Sequence, residues 1–220
     1  RRLSKFLDGI SLTGDERIIN YFAWTSRKDL ISLFSNDALS SLQNYDPSLV
    51  MQQYLDQFNT KDNLERMLAL EQRFFLTDHN LLYTDKMSMS EGIEVRVPLL
   101  DKELLLFSKR IPSKWKQRGK EGKWIFKKVM ENYLPKEIIY RPKTGFGVPL
   151  RDWLRGELRE YVRDTLSEEA INKRGIFNFQ SIQNMVEQNE TGMIDSSYTI
   201  LSLICIEIWC KNYLDNNKLN

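Results

Sequence analysis

A single histidine, His79, stands in the whole chain of 220 residues. That scarcity excludes a multi-histidine metal centre, and it would rest any Ser/His/Asp hydrolase on one ring, so His79 reads first as a structural or loop residue. Cysteine is nearly as rare. Cys205 and Cys210 lie in one apolar segment, with no companion histidine for zinc, and read as buried, reduced thiols. The longest apolar run, TILSLICIEIWC at 199–210, is about half of a membrane span and is broken by Glu207. With no signal peptide or anchor in view, the expectation is a cytoplasmic protein with no membrane partner. Charge of one sign is missing too. Thirty-two Lys and Arg against thirty Asp and Glu leave a net charge of +2, so no chain-wide field recruits nucleic acid, and any anion site must be local.

What is present is enough apolar residue, 41%, to bury a core, patterned mostly for helix. Asp62 with Glu65 is a capping-box variant, and Leu64, Met67, Leu68, Glu71 and Phe75 recur at helical spacing, so an amphipathic helix is predicted from Asp62 toward Thr77. Further helices are predicted in 14–34, in 46–58 with Asp46 as cap and Pro47 at the first helical position, and in 101–111 and 123–134, stopped by Pro112 and Pro135. From about Ser196 to Leu214, Ile200, Leu203, Ile204 and Ile208 form one wide apolar stripe, with Trp209 at its edge. Only IEVRV at 93–97 has strand character. The expected fold class is therefore mainly α.

Three segments carry charge without the periodicity of a surface helix. LLYTDKMSMSEGIEVRVPLLD, 81–101, sets Asp85, Lys86, Glu91, Glu94, Arg96 and Asp101 among apolar residues, and is either a charged connector or a carrier of ionisable groups into a site. YRPKTGFGVPL, 140–150, puts Arg141 and Lys143 around a proline and ahead of Gly145 and Gly147, where tight turns let an ammonium approach a phosphate; a plain surface turn is the competing reading. KWKQRGKEGKW, 114–124, places Lys120 and Lys123 just before a predicted helix, whose N-terminus attracts anions, or else forms a solvated basic loop.

Taken together and in order, DHNLLYTDKMSMSEGIEVRVPLLD, GKEGKW, RPKTGFGVPLRDWLRG and ICIEIW resemble the C-terminal part of the asparagine synthase domain of the glutamine-dependent asparagine synthetase family. The resemblance spans nearly all of 1–220. It implies that this chain is the helical half of an α/β adenine-nucleotide α-hydrolase-like (PP-loop ATP pyrophosphatase) domain. It also implies a reaction: aspartate, or another carboxylate, is adenylated by ATP with release of pyrophosphate, and ammonia attacks the acyl adenylate. An N-terminal glutaminase domain of the same polypeptide would supply that ammonia from glutamine, and a homodimer is possible.

By motif match, Lys143 corresponds to the lysine that meets the phosphates, and Asp78 to an acidic residue beside the reaction centre. Glu94 and Arg96 match a block at the edge of the site, Glu94 being counted with Lys143 and Asp78 as catalytic. Asp85, Lys86, Lys123, Arg141 and Arg96 are the expected binders of substrate or pyrophosphate. For Glu94 and Arg96 an ion pair that locks the connector competes with a role in the site, and for Asp85 so does a capping role. The family's Ser-Gly-Gly-x-Asp-Ser and Ser-Gly-x-Gly-x-Asp-Glu segments are absent from these residues, so magnesium ligands and the parallel sheet are expected upstream, in a longer protein of which this chain, starting at Arg1, is an inactive piece. Two alternatives are a ligase that forms amides or lactams on another carboxylate, such as a surface-polysaccharide sugar acid, and a non-catalytic helical interaction module.

Overall fold

The structure, a computed structural model, describes residues 9–43, 45–142 and 147–215. Lys143 falls outside them, so the loop expected to carry it is described only at its two ends. In chain order, α1 is Gly14–Phe22, α2 Arg27–Ser32, α3 Asn36–Leu42, α4 Ser48–Leu55 and α5 Asn63–Leu70. A π-helical segment, Glu71–Leu81, runs on into α6, Leu82–Ser90. Next come α7 (Lys102–Arg110), α8 (Ser113–Lys116), strands β1 (Gln117–Arg118) and β2 (Glu121–Gly122), α9 (Trp124–Met130) and α10 (Lys136–Ile139). Helices α11 (Leu150–Arg155), α12 (Arg159–Thr165), α13 (Glu168–Arg174), α14 (Phe179–Glu190) and α15 (Ser197–Cys210) follow, with a π turn at Lys211–Asp215. The mainly helical expectation holds. The chain divides into two compact units, one of Arg1–Leu12, Asn20–Pro47 and Phe146–Asn220, the other of Thr13–Ile19 and Ser48–Gly145.

The first unit holds the continuous core. Leu33, Leu154, Val162, Ile182 and Ile200 are at its centre. On α15 the predicted stripe is buried at Ile200, Leu203 and Ile204, but Ile208 and Trp209 are exposed, and Glu207 and Cys210 take the inner positions instead. At about 100° per residue, Glu207 returns almost to the bearing of Ile200, whereas Ile208 has turned past the edge of the stripe. A carboxylate there must be compensated. Arg174, at the end of α13, does so in bidentate fashion, from Nε to Oε2 and from Nη2 to Oε1, each 2.9 Å. The same guanidinium holds Asp215 through Nη1 and Nη2, which keeps the Asp215 carboxyl far below the usual carboxylate range. Both cysteines are free, as expected, but only Cys210 is buried.

In the second unit Arg66 of α5 ties distant stretches together. Its Nε donates to Asp15 Oδ1 at 2.6 Å, Nη2 pairs with Asp15 Oδ2, and Nη1 donates to the carbonyls of Phe58 and Thr60. Asp62 caps α5 as predicted, accepting from the amides of Leu64 and Glu65. The helix it opens does not stop near Thr77 but runs to Ser90, so the first half of 81–101 is helical and ends where Gly92 takes a positive φ of 68°.

Other expectations are corrected in detail. The stretch 14–34 breaks between α1 and α2, where Ser26 caps the second helix by accepting from the amide of Asp29. Helix α4 begins at Ser48, and Asp46 takes the guanidinium of Arg27. IEVRV is not a strand, because no partner among the described residues pairs with it; the described sheet is the small antiparallel hairpin β1–β2, turned at Gly119. Among the described residues, no helix is long and apolar enough to cross a membrane.

The Arg66 hydrogen bonds hold Asp15 below its ordinary pKa. A depressed carboxyl contributes stability that is complete above its unfolded value, about 3.9, and is lost as pH falls through the folded one. Asp15→Asn should therefore lower the urea midpoint at pH 7, and its deficit against the parent should shrink below about pH 4. Urea unfolding of both proteins at pH 7 and pH 3 checks this; an equal deficit at both would contradict it.

Candidate active site

All the predicted site residues that the structure describes lie in the second unit. Asp78 rides the π-helical segment, near its C-terminal end, and is exposed. Arg73 Nη1 lies 3.6 Å from its Oδ2, and the Thr77 hydroxyl lies 3.0 Å from its Oδ1 while also reaching the carbonyl of Arg73. On the same segment Phe75 stacks on His79 with centroids 4.9 Å apart, and Tyr83 meets His79 edge-on at 5.6 Å, so the one histidine is packed in an aromatic row. Glu71 opens the segment, and partial burial pushes its carboxyl above the ordinary value. Asp85 and Lys86 follow on α6, both exposed. Asp85 caps nothing through its side chain at a helix end, since α6 starts at Leu82 with no side-chain cap and continues past it.

Glu94 and Arg96 sit in the extended stretch after Gly92 and are joined directly, Arg96 Nη2 donating to Glu94 Oε2 at 3.0 Å. The pair is largely exposed, with 82% of the arginine and 68% of the glutamate side chain open. Beyond it Asp101 caps α7 by accepting from the amide of Leu104 at 2.9 Å, which spends one charge of the segment on structure.

Lys123 stands where expected, immediately before α9, with a positive φ of 57° that side-chain-bearing residues seldom adopt. The turn is braced by Trp115 against Trp124, centroids 5.1 Å apart, with Arg118 over the Trp124 ring. Lys116 closes the bracing by donating to both oxygens of Glu65 on α5. Arg141 is exposed, and the residue before it is anchored: the Tyr140 hydroxyl donates to Glu131, which also receives Lys128 at 2.7 Å. These contacts raise the Tyr140 phenol and lower the Glu131 carboxyl.

Sequence reasoning passed over Arg73, Thr77, Glu71 and Tyr140. Arg73 is five residues from Asp78, a spacing that says nothing in an α-helix. Among the described residues no group of three His, Cys, Asp or Glu side chains is placed to hold a metal ion, so this chain's described part offers no magnesium cage.

The described candidate residues thus lie on one helical run, one extended stretch and two turns of a single unit, with Glu94 and Arg96 in direct contact, and comparison with known proteins gives the same segments a family. The asparagine synthase family model matches residues 13–211. The chain belongs to the asparagine synthase family. It is 27% identical over 172 residues to asparagine synthetase [glutamine-hydrolyzing] 1 of Bacillus subtilis, covering 76% of this chain and 27% of that protein. A putative asparagine synthetase [glutamine-hydrolyzing] of Mycobacterium bovis is 27% identical over 157 residues, 71% of this chain and 24% of the relative. Asparagine synthetase [glutamine-hydrolyzing] 2 of Arabidopsis thaliana reaches 33% over 107 residues, 43% of this chain and 18% of its own. The chain spans about a quarter of the length of the first of these curated relatives. No solved structure matches it significantly.

An exposed ion pair contributes about 0–1 kcal/mol. Arg96→Ala should therefore shift the unfolding free energy of this asparagine synthase family chain by no more than about 1 kcal/mol. Chemical denaturation checks this, and a larger loss would make the Glu94–Arg96 pair a structural lock of the connector.

Proposed function

We propose that this chain is part of a glutamine-dependent asparagine synthetase, supplying one wall of its synthetase site. The family match across 13–211 carries the reading, since the segments it covers bring every described candidate residue into one compact unit. The exposed apolar surface supports it too. From Glu71 to Pro142 no residue is buried, and Met87, Ile93, Phe107 and Tyr133 are more than half exposed, as expected of a wall that another part of the protein completes. By itself the chain is then inactive. The α/β nucleotide-binding half, the glutaminase domain and the magnesium ligands belong to the rest of a longer, cytoplasmic protein.

In the reaction, a carboxylate oxygen of aspartate attacks the α-phosphorus of ATP and pyrophosphate departs. Ammonia then attacks the acyl carbon, AMP leaves, and the new amide nitrogen loses a proton. Lys143, with Arg141 just before it and Lys123 from the preceding turn, neutralises the charge that collects on the departing pyrophosphate; a fixed cation there lowers the barrier more than it tightens ground-state binding. Lys86, Arg96 and Asp85 contact substrate or pyrophosphate, and Glu94 acts in catalysis along with Asp78, held by its ion pair with Arg96. Asp78 accepts the proton from nitrogen, which a carboxylate does without help when it is held within reach.

In the full-length enzyme, Lys143→Ala should lower pyrophosphate release by about 10²- to 10³-fold, and Lys143→Arg should rescue it poorly, because a planar guanidinium does not occupy the point of an ammonium. A pyrophosphate assay over a panel of carboxylates, aspartate first, measures this and identifies the acyl substrate together. Near-normal release by Lys143→Ala would move the phosphate contact elsewhere, to Lys123 first. Turnover of a sugar acid in preference to aspartate would make the enzyme a relative acting on another carboxylate.

A further inference from the structure

The most unusual backbone among the described residues is the π-helical segment itself, eleven residues from Glu71 to Leu81 inside an otherwise α-helical run. Such segments are rare, usually a single turn long, and frequent at functional sites. Here the wider turn has a specific consequence. Side chains that face each other on an α-helix are three or four residues apart, and residues five apart point in different directions. In a π-helix the backbone bond runs from i to i+5, and residue i+5 comes round to the same side of the helix as residue i. Arg73 and Asp78 are five apart, and their ion pair is the side-chain counterpart of that pitch.

The two oxygens of Asp78 are then held from different sides. Oδ2 faces the Arg73 guanidinium at 3.6 Å, and Oδ1 faces the Thr77 hydroxyl at 3.0 Å. Thr77 is itself fixed, since its hydroxyl also reaches the Arg73 carbonyl. Arg73 has a second restraint of its own, lying over the Phe74 ring at 5.2 Å from guanidinium carbon to centroid. Phe75 and His79 of the segment also stack, and His79 meets the Tyr83 ring at the start of α6. As a stabilising contact the ion pair is minor, because half of Arg73 and 61% of Asp78 are exposed. What it does is aim one carboxylate.

We propose that Arg73 is a positioning residue for Asp78, and that the π pitch of Glu71–Leu81 is what brings the two together. This rests on the reading of Asp78 as the proton acceptor of the amide-forming step. Arg73 touches neither nucleotide nor acyl carbon in this role; it keeps the Asp78 carboxylate turned toward the incoming nitrogen. The adenylating step, which precedes ammonia, does not use it.

The test uses the full-length enzyme with ammonium as nitrogen source, so that glutamine hydrolysis does not enter. Amide formed is measured per pyrophosphate released, for Arg73→Ala, Arg73→Gln, Arg73→Lys, Asp78→Asn and the double variant Arg73→Ala/Asp78→Asn, each with its melting temperature. The expected result is a fall of about 10- to 100-fold in amide per pyrophosphate for Arg73→Ala and Arg73→Gln, with near-normal pyrophosphate release. Arg73→Lys should recover most of the loss, and the double variant should be no worse than Asp78→Asn alone, as holds when one residue acts only through the other. Amide formation that drops in Asp78→Asn but stays normal in both neutral Arg73 variants overturns the positioning role and leaves the reading of Asp78 standing. Normal amide formation by Asp78→Asn overturns that reading and the positioning role with it. An equal loss of both products, with a lowered melting temperature and no rescue by lysine, makes Arg73 merely structural and overturns the proposal.

Discussion

Arg66 spends four hydrogen bonds on two stretches of chain: two on the distant Asp15 carboxylate, and one each on the carbonyls of Phe58 and Thr60 in the loop before its own helix. A guanidinium is suited to this because its donors lie in one rigid plane and always carry charge. The bonds settle where α5 begins and how it leaves the loop before it. Everything that follows without a break, namely α5, the π-helical segment and α6, inherits that placement. Asp78, Asp85 and Lys86 all ride on this run, so the direction of the candidate acids depends on a contact more than ten residues upstream. Gln52 adds a further hydrogen bond to Asp15, and Tyr54 meets the rings of Phe58 and Phe74 edge-on.

The two units solve the problem of charge differently. In the first, Glu207 is buried on the inner face of α15 and would be costly there without Arg174, which satisfies both of its oxygens and reaches Asp215 as well. In the second, the charged groups of the candidate site are left at the surface, braced by turns and aromatic contacts and not by burial. On the proposed function these groups must stay available to charged substrates, and full ion pairing in a dry core would cancel that availability. Lys123 shows the arrangement well: the backbone around it is held tightly by the two tryptophans, while its own side chain is exposed.

Local rules served where local physics decides. Asp62 and Asp101 cap helices because a short carboxylate can reach free amides two or three residues on, a matter of sequence alone. Pro112 closely follows the end of α7 because proline lacks the donor, whereas α9 stops at Met130, short of Pro135, and passes into a turn. The apolar stripe of α15 followed from its period up to Ile204. The failures have one cause. IEVRV has strand composition, but a strand exists only with a partner, and none is described beside it. The pitch of Glu71–Leu81 leaves no mark in the apolar pattern, since Phe75, His79 and Tyr83 at spacings of four suit an α-helix as well.

The candidate site divides in the same way. Its chemistry was legible in DKMSM, EVRVP, GKEGKW and RPKTGFGVP, because residue type and order along the chain record which acids and bases are present and which turns glycine and proline allow. By itself the sequence determined the helical class, the Asp62 cap, the placement of Lys123 just ahead of a helix and the family. Tertiary structure alone decided that Asp78 faces Arg73, that Tyr140 anchors the approach to Arg141 and that Glu207 lies buried against Arg174. Each of these is a meeting between side chains whose approach depends on helix pitch or on packing between separate elements, and neither quantity is written at any one position in the chain.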